Sequence, residues 1–108
     1  MINKGKTIRG FVYNKFTDRN NIPCSIQKSS IATENCIWLG VDNVQPKILA
    51  QDAIKLGLKE RENNDNDWGW IEYKVPKEVL FNDRMHLTQD MVKELLPLLQ
   101  KFAETGEL

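Results

Sequence analysis

A chain of 108 residues, 41% hydrophobic and 28% charged, has the size and composition of one soluble domain built on one core. Fifteen basic residues balance fifteen acidic ones, so no net field draws in nucleic acid or an anionic membrane, and generic nucleic-acid binding is disfavoured although a local basic patch is not. No apolar run approaches the roughly 18 residues of a membrane span, and no signal-type apolar stretch follows Met1–Lys6, which points to a cytoplasmic protein without a membrane partner.

The chain is expected to fold as a single domain, residues 1–108, with residues 1–6 frayed. Residues 8–16 are rich in β-branched and aromatic side chains and read as a strand. Asp18, Arg19, Asn20 and Asn21 then make a turn, because Asp and Asn side chains bond nearby backbone and tolerate left-handed geometry. In the next strand, residues 22–29, Ile22, Cys24 and Ile26 alternate with Ser25, Gln27 and Ser29, giving a core face and a wet face. Pro23 suits the beginning or the edge of such a strand.

Residues 29–35 form a polar connection with room for one helical turn. The nearly continuous apolar run at residues 36–41 reads as a strand covered on both sides. Pro46 fits the first position of a short helix that carries Ile48, Leu49, Ala53 and Leu56 at helical spacing and stops at Gly57. Residues 59–67 are charged and Asn-rich, bury little, and are expected to be a mobile loop.

Residues 68–75 alternate again, placing Trp68 and Trp70 with Glu72 and Lys74 on the more polar face. Two indoles there need cover, either from the preceding loop or the N-terminus, or from a ligand or partner. Residues 79–87 read as a further strand with Asp83 marking a bulge or turn, and with Asn82, Arg84 and His86 sharing one face. Thr88 is a good N-cap for the long final helix. Its apolar stripe is Val92, Leu95, Leu96, Leu99, Phe102 and Ala103, and Pro97 falls on the polar side, which favours one bent helix over two. The fold class is therefore α+β: a mainly antiparallel sheet of about five strands, the long helix packed on one face, and a short second helix.

Chemistry-bearing residues are few. Cys24 and Cys36 lie outside any CxxC spacing and read as free core thiols. His86 is the only histidine and has no ligand-spaced companions, so no metal or other cofactor is implied. A Cys24–His86 nucleophile and base would need side chains from opposite faces to meet. GxGxxG, GxxxxGK[ST] and GxSxG are all missing, and the protein is read as a non-enzyme. What remains is a polar surface of Ser25, Gln27, Ser29, Asn82, Arg84 and His86, flanked by Trp68 and Trp70. It is either an ordinary solvated face or a ligand site. As a site it suits a nucleotide: rings stack, a guanidinium holds phosphate, amides orient the base.

Several stretches carry a resemblance: Cys24-Ser25-Ile26-Gln27-Lys28-Ser29-Ser30, Ile37-Trp38-Leu39-Gly40, Gly69-Trp70, Arg84-Met85-His86-Leu87-Thr88 and Leu95-Leu96-Pro97-Leu98-Leu99. In this order they resemble a group of small proteins of tailed phages and prophages, over residues 17–108. The resemblance implies a biological setting, the cytoplasm of an infected cell, and there a small, neutral protein without catalytic apparatus suggests a counter-defence role. Two partners then come into view: a small host-derived nucleotide signal that the protein sequesters, or a host defence enzyme that it inhibits. So short a chain has little room for a deep pocket, which favours a homo-oligomer with the ligand between subunits.

Overall fold

The computed structural model describes residues 1–31 and 33–108. Its strands are β1 (Asn3–Lys6), β2 (Val12–Thr17), β3 (Pro23–Lys28), β4 (Cys36–Val41), β5 (Lys47–Leu49), β6 (Trp70–Glu72) and β7 (Arg84–Thr88). Its helices are α1 (Ala50–Lys55) and α2 (Gln89–Thr105). A five-stranded antiparallel sheet runs in the order β1-β2-β3-β4-β7, with β5 and β6 forming a separate pair. The α+β class, the five-stranded sheet, the long C-terminal helix and the short second helix are all as the sequence implies. Among the described residues, no helix is long and apolar enough to cross a membrane. The polar connection at residues 29–35 includes Ala32, which lies outside the described residues.

The chain divides into two compact units. The first comprises Met1–Asn43 and Asn82–Leu108, and the second, Val44–Phe81, is inserted between β4 and β7.

In the first unit the basic start is not frayed. Asn3–Lys6 pairs with β2, and Gly5 permits it, because the Tyr13 ring lies where a Cβ at Gly5 would sit. Residues 8–10 belong to the turn closing this hairpin rather than to a strand, with Gly10 at φ +86° and its N–H donating to the Thr7 carbonyl. The next turn forms as its side chains dictate. One Asp18 carboxylate oxygen accepts from the N–H groups of Asn20 and Ile22, and Asn21 takes φ +62°.

The strand expected at residues 79–87 shortens to β7, since Asp83 interrupts the pattern and only Arg84–Thr88 pair with β4. Thr88 is at once the last residue of β7 and the N-cap of α2, its hydroxyl accepting from the Met91 N–H at 3.2 Å. Gly106 closes α2 at φ +74°. Helix α2 runs unbroken through Pro97, and no residue of it is buried, so its apolar stripe stays open.

In the second unit, residues 47–49 form a strand instead of the first helical turn. Ile48 pairs with Ile71 and Leu49 with Trp70, and the helix starts only at Ala50. Tertiary pairing of a β-branched residue outweighs the helix-start signal of Pro46. Ala50 and Ala53 are fully buried.

The charged, Asn-rich 59–67 segment has few apolar groups but polar contacts of its own. It wraps around the Asp67 carboxylate, which is 3% exposed and accepts from the N–H groups of Glu62 and Asn63 at 2.9 and 2.7 Å. Lys59 adds an ion pair at 3.2 Å, and Gln51 on α1 donates to the Asp67 carbonyl. The Glu62 N–H holds the Asp67 pKa below its ordinary value against the opposing effect of burial, with the Asn63 N–H and Lys59 adding to it. For Lys59, burial pulls the pKa down, but hydrogen bonds and charge from Glu62 and Asp67 outweigh it and the pKa rises.

Candidate functional site

Sheet register places the chemistry. Gln27, Trp38 and His86 occupy one row across β3, β4 and β7, and Ser25, Gly40 and Arg84 occupy the next. Opposed residues of antiparallel strands share a face, so these side chains project from the same side, joined by Tyr13 and Lys15 of β2. Phe16, Cys24, Ile26, Ile37, Leu39, Val41, Met85 and Leu87 take the other side, which is the apolar one.

Strands β3 and β7 are not neighbours, since β4 lies between them. Their polar side chains nevertheless meet across it. The Arg84 guanidinium donates to Gln27 Oε1 at 3.4 Å, and His86 Nε2 lies 3.0 Å from Ser29 Oγ. Two features of β4 make this possible. Gly40 has no side chain, and a Cβ there would come within 2.6 Å of the Asp83 carbonyl oxygen and 2.8 Å of Arg84 Cα. Trp38 lays its indole flat against the His86 imidazole, ring centroids 3.8 Å apart and planes within 10°, while the Arg84 guanidinium stands 5.5 Å from the same indole.

Ser25 and Ser29, expected on a wet face, are instead 3% and 5% exposed. Each has a polar partner, as burial requires. Ser25 Oγ donates to Asp42 Oδ1 at 2.7 Å, and Lys15 balances that carboxylate at 3.6 Å. Ser29 accepts from the Ile31 N–H besides meeting His86.

The electrostatic consequence is an asymmetry. The cation of Lys15 is matched by Asp42, whereas Arg84 forms no ion pair among the described residues and touches only an amide and an indole. Its long contact with Gln27 uses one of five donors in the guanidinium fork. A partly exposed cation beside a stacked ring pair can take an anionic group on one edge and a planar group on the other.

Of the residues singled out in the sequence, Arg84, His86, Gln27, Ser25 and Ser29 are brought together. Asn82 is not: it precedes β7, is exposed, and falls outside the strand that would have aligned it with Arg84 and His86. Trp68 and Trp70 belong to the second unit, where Trp70 pairs with Leu49 of β5 instead of joining the main sheet. They are 69% and 67% exposed, so the preceding loop leaves them open. Sequence reasoning missed Trp38, Asp42 and Lys15. Trp38 sits in an apolar run whose composition does not say which side chain faces which way; its parity with Gly40 and Asp42 was the available signal.

The remaining chemistry is muted. Cys24 and Cys36 are free and buried and lie on opposite faces of the sheet. Burial raises the Cys24 pKa, and the nearby Asp18 and Asp42 charges raise it further. Cys24 and His86 are on opposite sides, so they form no nucleophile–base pair. Among the described residues, no group of three or more His, Cys, Asp or Glu is placed to hold a metal ion. Comparison with protein-family models, with curated proteins and with solved structures returned no match.

Proposed function

We propose that this chain is a non-enzymatic binding protein whose polar sheet face takes an anionic, planar ligand of the nucleotide class. The observation that carries this reading is Arg84, a guanidinium without a carboxylate partner beside the Trp38–His86 stack. Arg84 would hold a phosphate through its free donors, Gln27 would read a base edge, and the Trp38–His86 pair would offer ring surface. Buried Ser25 and Ser29 set the floor beneath them. In the phage setting implied by the sequence resemblance, such a protein sequesters a host nucleotide immune signal, most simply a cyclic nucleotide.

Thermal shift with a panel of cyclic mono- and dinucleotides tests the reading. Ligand at 100 times its Kd stabilises a folded protein by about 2.7 kcal/mol, a rise of roughly 10 °C or more in Tm. At least one nucleotide should give such a rise and Arg84→Ala should abolish it. A flat response across the panel would refute the reading.

A second reading has its own observation. Trp68 and Trp70 flank Gly69 at φ +79° and are more than two-thirds exposed, which suits an inhibitor that docks on a host defence enzyme. Pull-down from host lysate should then recover one dominant protein. Unchanged recovery with Trp68→Ala and Trp70→Ala combined would dismiss this surface.

A further inference from the structure

The first unit, taken alone, is under-packed. Among its described residues Cys24 and Cys36 are the only buried apolar ones, and no large side chain is fully buried. Two apolar surfaces account for the deficit. One is the stripe of α2, where Met91, Leu95, Leu96, Leu98, Leu99 and Phe102 are each between 37% and 58% exposed. The other is the apolar side of the sheet, where Phe16, Ile26, Ile37, Leu39, Val41 and Leu87 are only half-buried and Met85 is 55% exposed. They meet at one end, in an open groove of about 410 Å³ lined by Ile37, Leu87, Val92 and Leu96 with Lys28 and Lys93 at its border.

We infer that the occupant of both surfaces is a second copy of this chain: α2 of each copy lies along the apolar sheet face of the other. At roughly 100 Å² of accessible surface per half-exposed large side chain, the α2 stripe alone leaves about 600 Å² open, the upper end of what a monomer shows. With the facing sheet, each copy reaches the ~800 Å² per partner of a stable interface. Both surfaces belong to one chain, so a two-fold axis satisfies both at once, and each unmet face in one copy finds its complement in the other. A zero net charge sets no repulsion against this pairing. The polar face with Arg84 and His86 is on the opposite side and stays open.

Sedimentation equilibrium of the full chain across the micromolar range should give twice the 12.5 kDa chain mass. Leu96→Glu combined with Leu99→Glu should convert it to monomer, while Lys101→Glu on the polar side of α2 should leave the dimer intact. Because the double variant also risks misfolding, a mixed sample of isotope-labelled and unlabelled wild-type chains gives an independent readout. Intermolecular methyl contacts should link Leu96 or Leu99 of one copy to Leu39 or Met85 of the other. A wild-type monomer at every concentration would overturn the inference. So would a dimer that survives the double substitution, or one whose intermolecular contacts omit α2.

Discussion

Replacing Gly40 with alanine probes the feature that lets β7 reach across β4. A Cβ at this position would lie 2.6 Å from the Asp83 carbonyl oxygen and 2.8 Å from Arg84 Cα. Both are backbone atoms, so the strand itself must move. Overpacking of this kind costs about 1–3 kcal/mol, and a backbone φ of +157°, which L residues rarely adopt, adds to it. For a chain of this length 1 kcal/mol is worth about 4–8 °C, so Gly40→Ala should lower Tm by roughly 10 °C or more. Displacing β7 should also lift Arg84 from the Trp38 indole and separate His86 from it, which the His86 ring resonances would report. Gly10→Ala is the control: its φ is +86° but no atom lies within 4 Å of the added methyl, so only the cost of left-handed geometry, about 1–2 kcal/mol, applies. A Gly40→Ala melt within 3 °C of wild type, or a loss no larger than that of Gly10→Ala, would refute the close-approach argument.

Further outcomes follow from the same contacts. Asp67 has a folded pKa below its usual value, so its contribution to stability is complete above the unfolded pKa near 3.9 and is lost as pH falls through the folded value. Urea midpoints measured from pH 6 to pH 3 should therefore fall more steeply for wild type than for Asp67→Asn, and parallel curves would contradict the role given to this carboxylate. Thr88→Ala removes the cap on the Met91 N–H and should cost about 1 kcal/mol, read as a lower Tm; an unchanged Tm would remove Thr88 from the account. The buried Cys24 thiol, with its raised pKa, should resist alkylation at pH 8 in the folded protein and react fully in denaturant. Rapid native alkylation at Cys24 by mass spectrometry would show the site to be open.

Local chemistry was legible wherever a few adjacent residues decide the outcome. The Asp18–Asn21 turn, the Thr88 cap and the Gly57 stop depend on residues next to the backbone they serve. Elements stabilised by distant partners were not legible. Asn3–Lys6 has one isoleucine before it and none within it, and it is a strand because β2 offers an edge and Gly5 accommodates Tyr13. Lys47–Leu49 follows a helix-start signal, yet Ile71 and Trp70 draw it into a hairpin-like pair. Residues 59–67 look solvated by composition, and the order comes from one carboxylate gathering two N–H groups and a lysine.

The site divides in the same way. Parity along β3 and β7 placed Ser25, Gln27 and Ser29 on one surface and Arg84 and His86 on another. That the two surfaces join depends on β4 intervening with Gly40 and Trp38 at the right register, which only pairing can settle. Asn82 fails because β7 starts two residues later, a boundary that alternation alone does not locate.

The most direct test of ligand capture by the polar face is a titration of isotope-labelled protein with the cyclic mono- and dinucleotide panel, followed by NMR. The Trp38 indole N–H, the His86 ring and the side chains of Arg84 and Gln27 should shift together and saturate, with Arg84→Ala abolishing the response. Shifts confined to Trp68 and Trp70, or none with any nucleotide, would contradict the account.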